Sequence, residues 1–247
     1  MTRVLVVWED LYFRELDHFV RSRLATHARP DATAYPQVLS DTAHGDGNFA
    51  RFVEKTWPNV RGKGVNRSVG PIDHLVCVTD GDRLSERLPD VAKPRPDPSD
   101  VLSWHASAEA TWQVHLRSLA ASTAAPASTV HGMVLRWSKE SLVLAGYNSG
   151  AAKDLLGIDA SSAEGLATLA ACDPHPASVE PKAFTDTFRR PLKCLSDLAP
   201  RRRLKNSPEV DDALRALAAT ASQRDVVCAR VPDIDRIADR IWQLAAG

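Results

Sequence analysis

Three short apolar runs, rich in β-branched residues, constrain the fold of this 247-residue chain more than any other feature. They occupy residues 4–8, 74–79 and 130–137. Runs of this length without polar alternation are typical of strands that are buried on both faces. Segments with helical periodicity follow them, beginning with residues 10–25. We therefore predict an α/β fold with a largely parallel central sheet flanked by helices.

The rest of the chain is mainly helical in its pattern. Further helices are predicted at 48–57, 100–122, 138–147, 208–222 and 232–246, and a short strand is predicted at 225–230. Asp100 and Ser138 are the expected N-caps of two of these helices, because a side-chain oxygen there can accept from a free backbone N–H. We expect an α/β domain over residues 1–150 and a helical C-terminal region over 151–247 that packs on it.

Composition excludes several classes of protein. Hydrophobic residues make up 44% of the chain and charged residues 25%, which excludes wholesale disorder and a disulfide scaffold. Lysine plus arginine equal aspartate plus glutamate at 31 each, so a uniformly basic nucleic-acid coat is excluded. No apolar run approaches the roughly 18 residues of a membrane span. The four cysteines lack metal-ligand spacing. We expect a cytoplasmic protein with free thiols and no membrane association.

Acidic residues fall where the predicted strands end. Glu9 ends the first strand, Asp80 and Asp82 follow the second, and Glu140 lies in the first turn of the helix after the third. The carboxyl ends of parallel strands meet at one edge of a sheet, so these side chains are expected to converge. Their mutual repulsion favours a bound cation, and carboxylate oxygens suit Mg²⁺ or Mn²⁺. The sequence therefore predicts a divalent-metal site.

Each acid also has a structural interpretation when it is considered alone. Asp-Gly-Asp is common turn chemistry, and Glu9 with Asp10 fits the acidic first turn of a helix. Glu140 fits the same helical preference. Gly81, which separates the two aspartates, is expected to let a metal or phosphate approach the backbone. The metal site therefore rests on the joint placement of the acids.

A basic, glycine-containing loop precedes the second acidic strand. Arg61, Lys63 and Arg67 flank two glycines in this loop, a composition that can cradle a phosphate. We expect the loop to lie beside the acids, although its spacing excludes a P-loop NTPase site. The basic run at 201–205 is equally well explained as a solvated face.

These motifs resemble the TOPRIM fold, the metal-binding domain of topoisomerases, primases and OLD-family nucleases. The resemblance lies in a strand ending in Glu at residues 4–9 and a strand ending in Asp-x-Asp at 75–82. Residues 134–145 are similar to the E-x-W-hydrophobic-L-A segment of RloB-like proteins, and residues 61–67 correspond to their glycine-rich loop. The chain departs from the pattern at Asp10, where the family has glycine.

The resemblance implies a divalent-metal-dependent nuclease that acts as an effector in prokaryotic phage defence, on nucleic acid and beside an ABC-type or OLD-like ATPase. Glu9 would be a metal ligand and the candidate general base, while Asp80 and Asp82 would hold one or two ions of Mg²⁺ or Mn²⁺. Glu140 would bind a second ion or orient the other ligands.

Basic residues would serve the same chemistry. Lys63 or Lys139 would offset transition-state charge, and both, with Arg67, would contact phosphate. The alternative is a non-catalytic TOPRIM-like component that binds the partner ATPase and senses a phage product. A phosphatase that uses the same acids is a third interpretation.

Overall fold

A computed structural model gives the arrangement of most of the chain. It describes residues 2–9, 14–27, 37–43, 48–64, 70–81, 84–91, 98–135, 139–146 and 208–246. Asp10, Arg67, Asp82, Ser138 and the run at 201–205 lie outside these ranges.

Four parallel strands form one sheet in the order β2-β1-β3-β4. The strands are β1 (Arg3–Trp8), β2 (Gln37–Thr42), β3 (His74–Asp80) and β4 (Val130–Leu135). The predicted α/β fold with a parallel sheet is thereby confirmed. Strand β2 was not predicted, because only two of its six residues are apolar. Two of the others, Ser40 and Asp41, are exposed polar residues.

Helices connect and cover the strands. They are α1 (Arg14–His27), α2 (Asn48–Arg51), α3 (Trp57–Lys63), α4 (Leu84–Arg87), α5 (Pro98–Ala121), α6 (Lys139–Gly146), α7 (Pro208–Ala219), α8 (Ala221–Arg230) and α9 (Pro232–Ala246). A π-helical turn (Phe52–Thr56) joins α2 to α3, and a 3₁₀ turn (Ala127–Thr129) precedes β4.

Two local expectations were wrong. Helix α5 begins at Pro98, so Asp100 lies inside its first turn and is not the N-cap. Proline at the first helical position needs no N–H partner, which explains the earlier start. Residues 225–230 belong to α8 and not to a strand. Their helical conformation buries Val227 and Cys228, which are neighbours in sequence, on one side of α8.

Each face of the sheet has its own core. One face of β1 and β3 packs with α1, α6 and all three C-terminal helices, and α1 and α9 contact each other extensively. The other face packs with the helical segment 48–63, with α4 and with α5. The C-terminal helices therefore complete the core of the sheet, because they cover apolar side chains that the strands direct towards them.

Side chains close the outer edge of β4. Gln113 on α5 donates to the Val130 carbonyl and accepts from Gly132 N, while Glu109 accepts from Val134 N. Arg236 on α9 donates to the Val134 carbonyl. A Cβ at Gly132 would lie 2.8 Å from the Trp112 ring, so glycine is what lets α5 approach this edge.

Within the described ranges, no helix combines the length and the hydropathy that crossing a membrane requires.

Candidate functional site

The acids lie at the point where the direction of strand addition reverses. From β1 the chain passes outward to β2, then returns to β3 on the other side of β1 and continues to β4. In open parallel sheets the crevice beyond the carboxyl ends of such a strand pair is the usual ligand site. Glu9 directly follows β1, and Asp80 ends β3, which pairs with β1. The structure therefore places Glu9 beside the backbone of Asp80, while the two acidic side chains alternate to opposite faces of the sheet.

Three hydrogen bonds reach the carboxylate of Glu9, and a fourth joins two of its donors. One oxygen, Oε1, accepts from Arg87 Nη2 at 2.7 Å. The other, Oε2, accepts from the Thr79 hydroxyl at 2.5 Å and from Asp80 N at 3.1 Å. Arg87 also donates to the Thr79 hydroxyl at 3.2 Å. Only 7% of Glu9 is exposed, so both oxygens are held by protein donors in a buried position.

The structure describes Asp80 and the backbone of Glu140, but not Asp82. Asp80 is half-buried beside Glu9, whereas Asp82 lies outside the described residues. Lys139 and Glu140 open α6, which starts shortly after β4 ends at the same edge of the sheet. The backbone of this turn is described, and its side chains are not.

Glu9 and Asp80 carry carboxylate oxygens, which Mg²⁺ and Mn²⁺ prefer. The Glu9 carboxylate lies on the same face of the sheet as the Thr79 hydroxyl, whereas the Asp80 side chain alternates to the other face. The Arg87 guanidinium beside Glu9 shows that this position already stabilises a positive charge. Among the described side chains, no three of His, Cys, Asp and Glu cluster closely enough to hold a metal. A complete metal site would therefore need Asp82 or Glu140 in addition to the described pair.

Gly81 serves packing in this structure. A Cβ at this position would lie 3.1 Å from Val134 and 3.2 Å from the Trp104 ring. Its backbone N–H donates to the Leu135 carbonyl at 2.8 Å. The space beside Gly81 is therefore filled by the chain's own side chains, which corrects the expectation that it gives a ligand access to the backbone.

The basic loop does not lie beside the acids at either of its described ends. Burial, followed by the charges of Arg240 and Arg61, lowers the pKa of His74, which places Arg61 near the start of β3. Gly70 lies against the guanidinium of Arg3, at the start of β1. Lys63 ends α3 with an exposed side chain. The loop thus begins and ends at the amino edge of the sheet, roughly 20 Å from Asp80 by the rise along a seven-residue strand.

A histidine pair lies at this amino edge, near the starts of β3 and β4. His74 Nδ1 and His131 Nε2 are 3.2 Å apart, and Arg240 Nη2 is 3.2 Å from His131 Nδ1. Because arginine can only donate, His131 Nδ1 accepts and its Nε2 carries the proton that His74 receives. Burial, followed by the charge of Arg240, lowers the pKa of His131 to about 3.

A pocket of about 310 Å³ opens at the carboxyl ends of β1 and β2. It is lined by Trp8, Asp17, His18, Ser40, Asp41 and Thr42. The Ser40 hydroxyl donates to Asp17, and Arg21 holds the same carboxylate from one turn further along α1. Sequence reasoning missed this pocket because it missed β2.

Arg87 and Thr79 are the members of the site that the sequence did not reveal. Thr79 is one of several residues in an apolar run, and Arg87 follows Asp82 in a polar stretch without a motif. Strand alternation offered one signal for Thr79. Its side chain must face the opposite side of the sheet from that of Asp80, which is the side on which Glu9 lies.

Comparison with known proteins gives no assignment. No family model, no curated protein and no solved structure matches the chain.

Proposed function

We propose that this chain is a divalent-metal-dependent nuclease that hydrolyses phosphodiester bonds as an effector of prokaryotic phage defence. The observation that carries the proposal is the position of Glu9 and Asp80, which lie at the carboxyl ends of the neighbouring strands β1 and β3, at the switch point of the sheet. Ligand sites of open parallel sheets occur at this position, and carboxylates there suit metal-assisted hydrolysis.

The residues of the site would have different roles in metal binding and hydrolysis. Glu9 and Asp80, with Asp82, would hold Mg²⁺ or Mn²⁺, and Glu9 is the candidate base for the attacking water. When bound, the metal would supply charge stabilisation at the attacking and leaving oxygens. Thr79 fixes the orientation of the Glu9 carboxylate through its hydroxyl.

The turn that opens α6 would complete the site. Glu140 would bind or orient a second ion, and Lys139 is better placed than Lys63 to offset charge, because α6 begins at the carboxyl edge whereas Lys63 ends α3 near the amino edge. Lys63 and Arg67 would instead contact nucleic-acid phosphates away from the acids. An ABC-type or OLD-like ATPase would be the protein partner.

The second candidate function is a non-catalytic defence component that binds the ATPase and senses a phage product. The Arg87–Glu9 ion pair favours it, because a carboxylate whose two oxygens are both held by protein donors has a structural role already. In that case the acids would maintain the fold of the switch point.

Replacing Asp80 separates the two functions. Asp80→Asn keeps the shape of the side chain and removes its charge, so we expect cleavage of labelled DNA or RNA in Mg²⁺ or Mn²⁺ to fall by at least about 100-fold. EDTA should abolish cleavage by the unaltered protein. The assay uses the full chain, with and without the ATPase, and phage plaque counts accompany it.

The matched control is Asp90→Asn, which makes the same chemical change in an exposed turn. It should cleave and protect like the unaltered protein. Full phage protection by Asp80→Asn, together with no cleavage by any form of the protein, would favour the non-catalytic component.

A further inference from the structure

We propose that the amino edge of the sheet binds a backbone phosphate of nucleic acid, which accepts from His74 Nε2–H and pairs with the Arg61 guanidinium. The proposal rests on the proposed action on nucleic acid, and it adds a place where that polymer is held. It gives a role to the histidine pair at the starts of β3 and β4, which the proposed hydrolysis does not use. The surface concerns binding alone and takes no part in the reaction.

Positive charge is concentrated at this edge of a chain whose net charge is zero. The starts of β1, β3 and β4 meet there with the ends of α3 and α5 and the last two turns of α9. These described segments comprise residues 2–4, 60–64, 70–74, 113–131 and 240–246. Their basic residues are Arg3, Arg61, Lys63, Arg117 and Arg240, and their one acid is Asp73. An edge of this composition attracts polyanions.

These five basic side chains differ from other arginines of the molecule because they lack a carboxylate partner. Five arginines elsewhere in the described chain each form an ion pair with an aspartate or glutamate: Arg21, Arg23, Arg87, Arg215 and Arg236. Among the described residues, no such ion pair exists for the five at the amino edge. The buried Nε of Arg61 also has no hydrogen-bond partner among them. Their charge is therefore available to an anionic ligand.

The histidine pair ends in a hydrogen-bond donor. Arg240 Nη2 donates to His131 Nδ1, and His131 Nε2 donates to His74 Nδ1, each at 3.2 Å. A neutral imidazole carries its proton on the nitrogen that does not accept, so His74 carries its proton on Nε2. Within the described part of the chain, no acceptor lies within hydrogen-bond distance of this nitrogen. The chain of bonds thus starts at a guanidinium and ends in an N–H that can donate to a ligand.

The neighbouring charges keep both imidazoles neutral and identify Arg61 and Arg117 as their neighbours. Burial, followed by the charges of Arg240 and Arg61, lowers the pKa of His74. Burial and then positive charges that include Arg240 and Arg117 lower the pKa of His131 to about 3. His131 is 5% exposed, whereas His74 is only half-buried. A ligand therefore meets His74 and the guanidinium of Arg61, and a phosphate offers both the acceptor oxygens and the charge that they lack.

The surface fits the backbone of nucleic acid better than a lipid headgroup or a lone phosphate ion. Among the large hydrophobic residues of these segments only Val114 is exposed, whereas attachment to a membrane requires a buried apolar face. The cations extend from Arg3 at β1 to Arg117 near β4, a width of two strand spacings, or about 10 Å. One ion cannot contact them all, but a polymer with a phosphate at every nucleotide can.

The direct test measures binding of a labelled oligonucleotide by fluorescence anisotropy, in EDTA so that no cleavage is needed. Arg61→Gln should weaken binding severalfold and reduce the slope of log affinity against log salt by about one, because one phosphate contact is lost. The matched control is Arg51→Gln, which makes the same change at an exposed position in α2. It should bind like the unaltered chain. Equal affinities and slopes for the two variants, or no binding by the unaltered chain, would overturn the proposal.

Two substitutions of His74 separate its donor from its shape. His74→Gln retains an N–H close to the position of Nε2, so it should bind the oligonucleotide like the unaltered protein. His74→Leu has no donor there and should bind severalfold more weakly. Melting temperatures show whether each variant is folded. Equal weakening in two folded variants would contradict the role of the Nε2–H.

Nuclear magnetic resonance of the imidazole nitrogens tests the unaltered protein. We expect the Nε2–H tautomer of His74 and a shift of its Nε2 resonance when the oligonucleotide is added. The other tautomer, or an unchanged resonance, would refute the proposal. Inorganic phosphate and phosphatidylglycerol vesicles are the competing probes, and binding of either without binding of the oligonucleotide would refute nucleic acid as the ligand.

The edge and the nuclease can fail separately. Oligonucleotide binding that depends on Arg61, without cleavage in any form of the protein, would refute only the nuclease. Cleavage by the unaltered protein, together with an Arg61→Gln variant of unchanged affinity and salt slope, would refute only the binding edge.

Discussion

Glu9 shows at the scale of one residue how a side chain can be fixed by its fold. Its backbone N–H continues the sheet by donating to the Val78 carbonyl at 3.2 Å. Its carboxylate then returns towards β3 and joins Thr79, Asp80 and Arg87. One residue therefore links the ends of two strands to α4, which gives it a structural role whether or not a metal binds.

This network predicts the effect of Glu9→Gln on stability. Both carboxylate oxygens accept hydrogen bonds, so the amide NH₂ of glutamine must face a donor in either orientation. We expect the free energy of unfolding to fall by about 2–4 kcal/mol. Urea unfolding followed by circular dichroism at neutral pH measures it. Glu54→Gln, at an exposed position in the π-helical turn, should change stability by less than about 0.5 kcal/mol. Similar losses in the two variants would contradict the network.

At the scale of the elements, buried strands were predictable and the sheet edge was not. Strands β1, β3 and β4 consist almost wholly of apolar side chains, because helices cover both of their faces. Strand β2 contains Gln37, Ser40 and Asp41, and its hydrogen bonds to β1 come from backbone groups that any sequence has. The position of Glu9 and Asp80 at neighbouring strand ends followed from strand order, whereas the Arg87 contact depends on how α4 packs in three dimensions.

The histidine pair at the starts of β3 and β4 predicts a pH dependence. The pKa of His131 is about 3 in the folded protein and about 6.5 when unfolded, because burial and Arg240 disfavour its charged form. Below pH 6.5 the unfolded chain binds a proton that the folded protein does not. This contribution to stability is therefore complete above pH 6.5 and is lost as the pH falls towards 3.

Between pH 7.5 and pH 5.5 the loss should be on the order of 1 kcal/mol, measured by urea unfolding. His131→Gln should flatten this dependence, since the amide can accept from Arg240 and donate to His74 without titrating. His18→Gln alters an exposed histidine on α1 and should retain the slope. An unchanged slope in His131→Gln would show that other groups control the acid response.

At the scale of the whole molecule, the described C-terminal helices share one core with the sheet on which they pack. Ile234, Ile237 and Ile241 of α9 are fully buried in the cluster that contains Val4 and Val6 of β1. Each buried isoleucine contributes roughly 1.5–3 kcal/mol, so these three side chains approach the total stability of an ordinary domain.

A fragment of residues 1–150 should therefore fail to fold cooperatively. We expect it to bind the dye ANS and to show no sigmoidal urea transition, because the β1–β3 face that α7–α9 cover would be exposed to water. Addition of a peptide spanning residues 208–247 should reduce ANS binding by covering that face again. A cooperative transition of the fragment alone, with a midpoint near that of the full chain, would establish an independent first domain.

The capped side of the sheet also limits how copies of this protein can associate. Gln113, Glu109 and Arg236 bond the Val130 carbonyl, Gly132 N and both backbone groups of Val134, so an incoming strand finds most of this ladder occupied. Among the described strands, β2 is the edge left for strand exchange between copies. Two copies joined through β2 would each present a capped β4 to the outside, and pairing of the described strands would end there. Edge-to-edge growth through these strands is thereby blocked by three side chains.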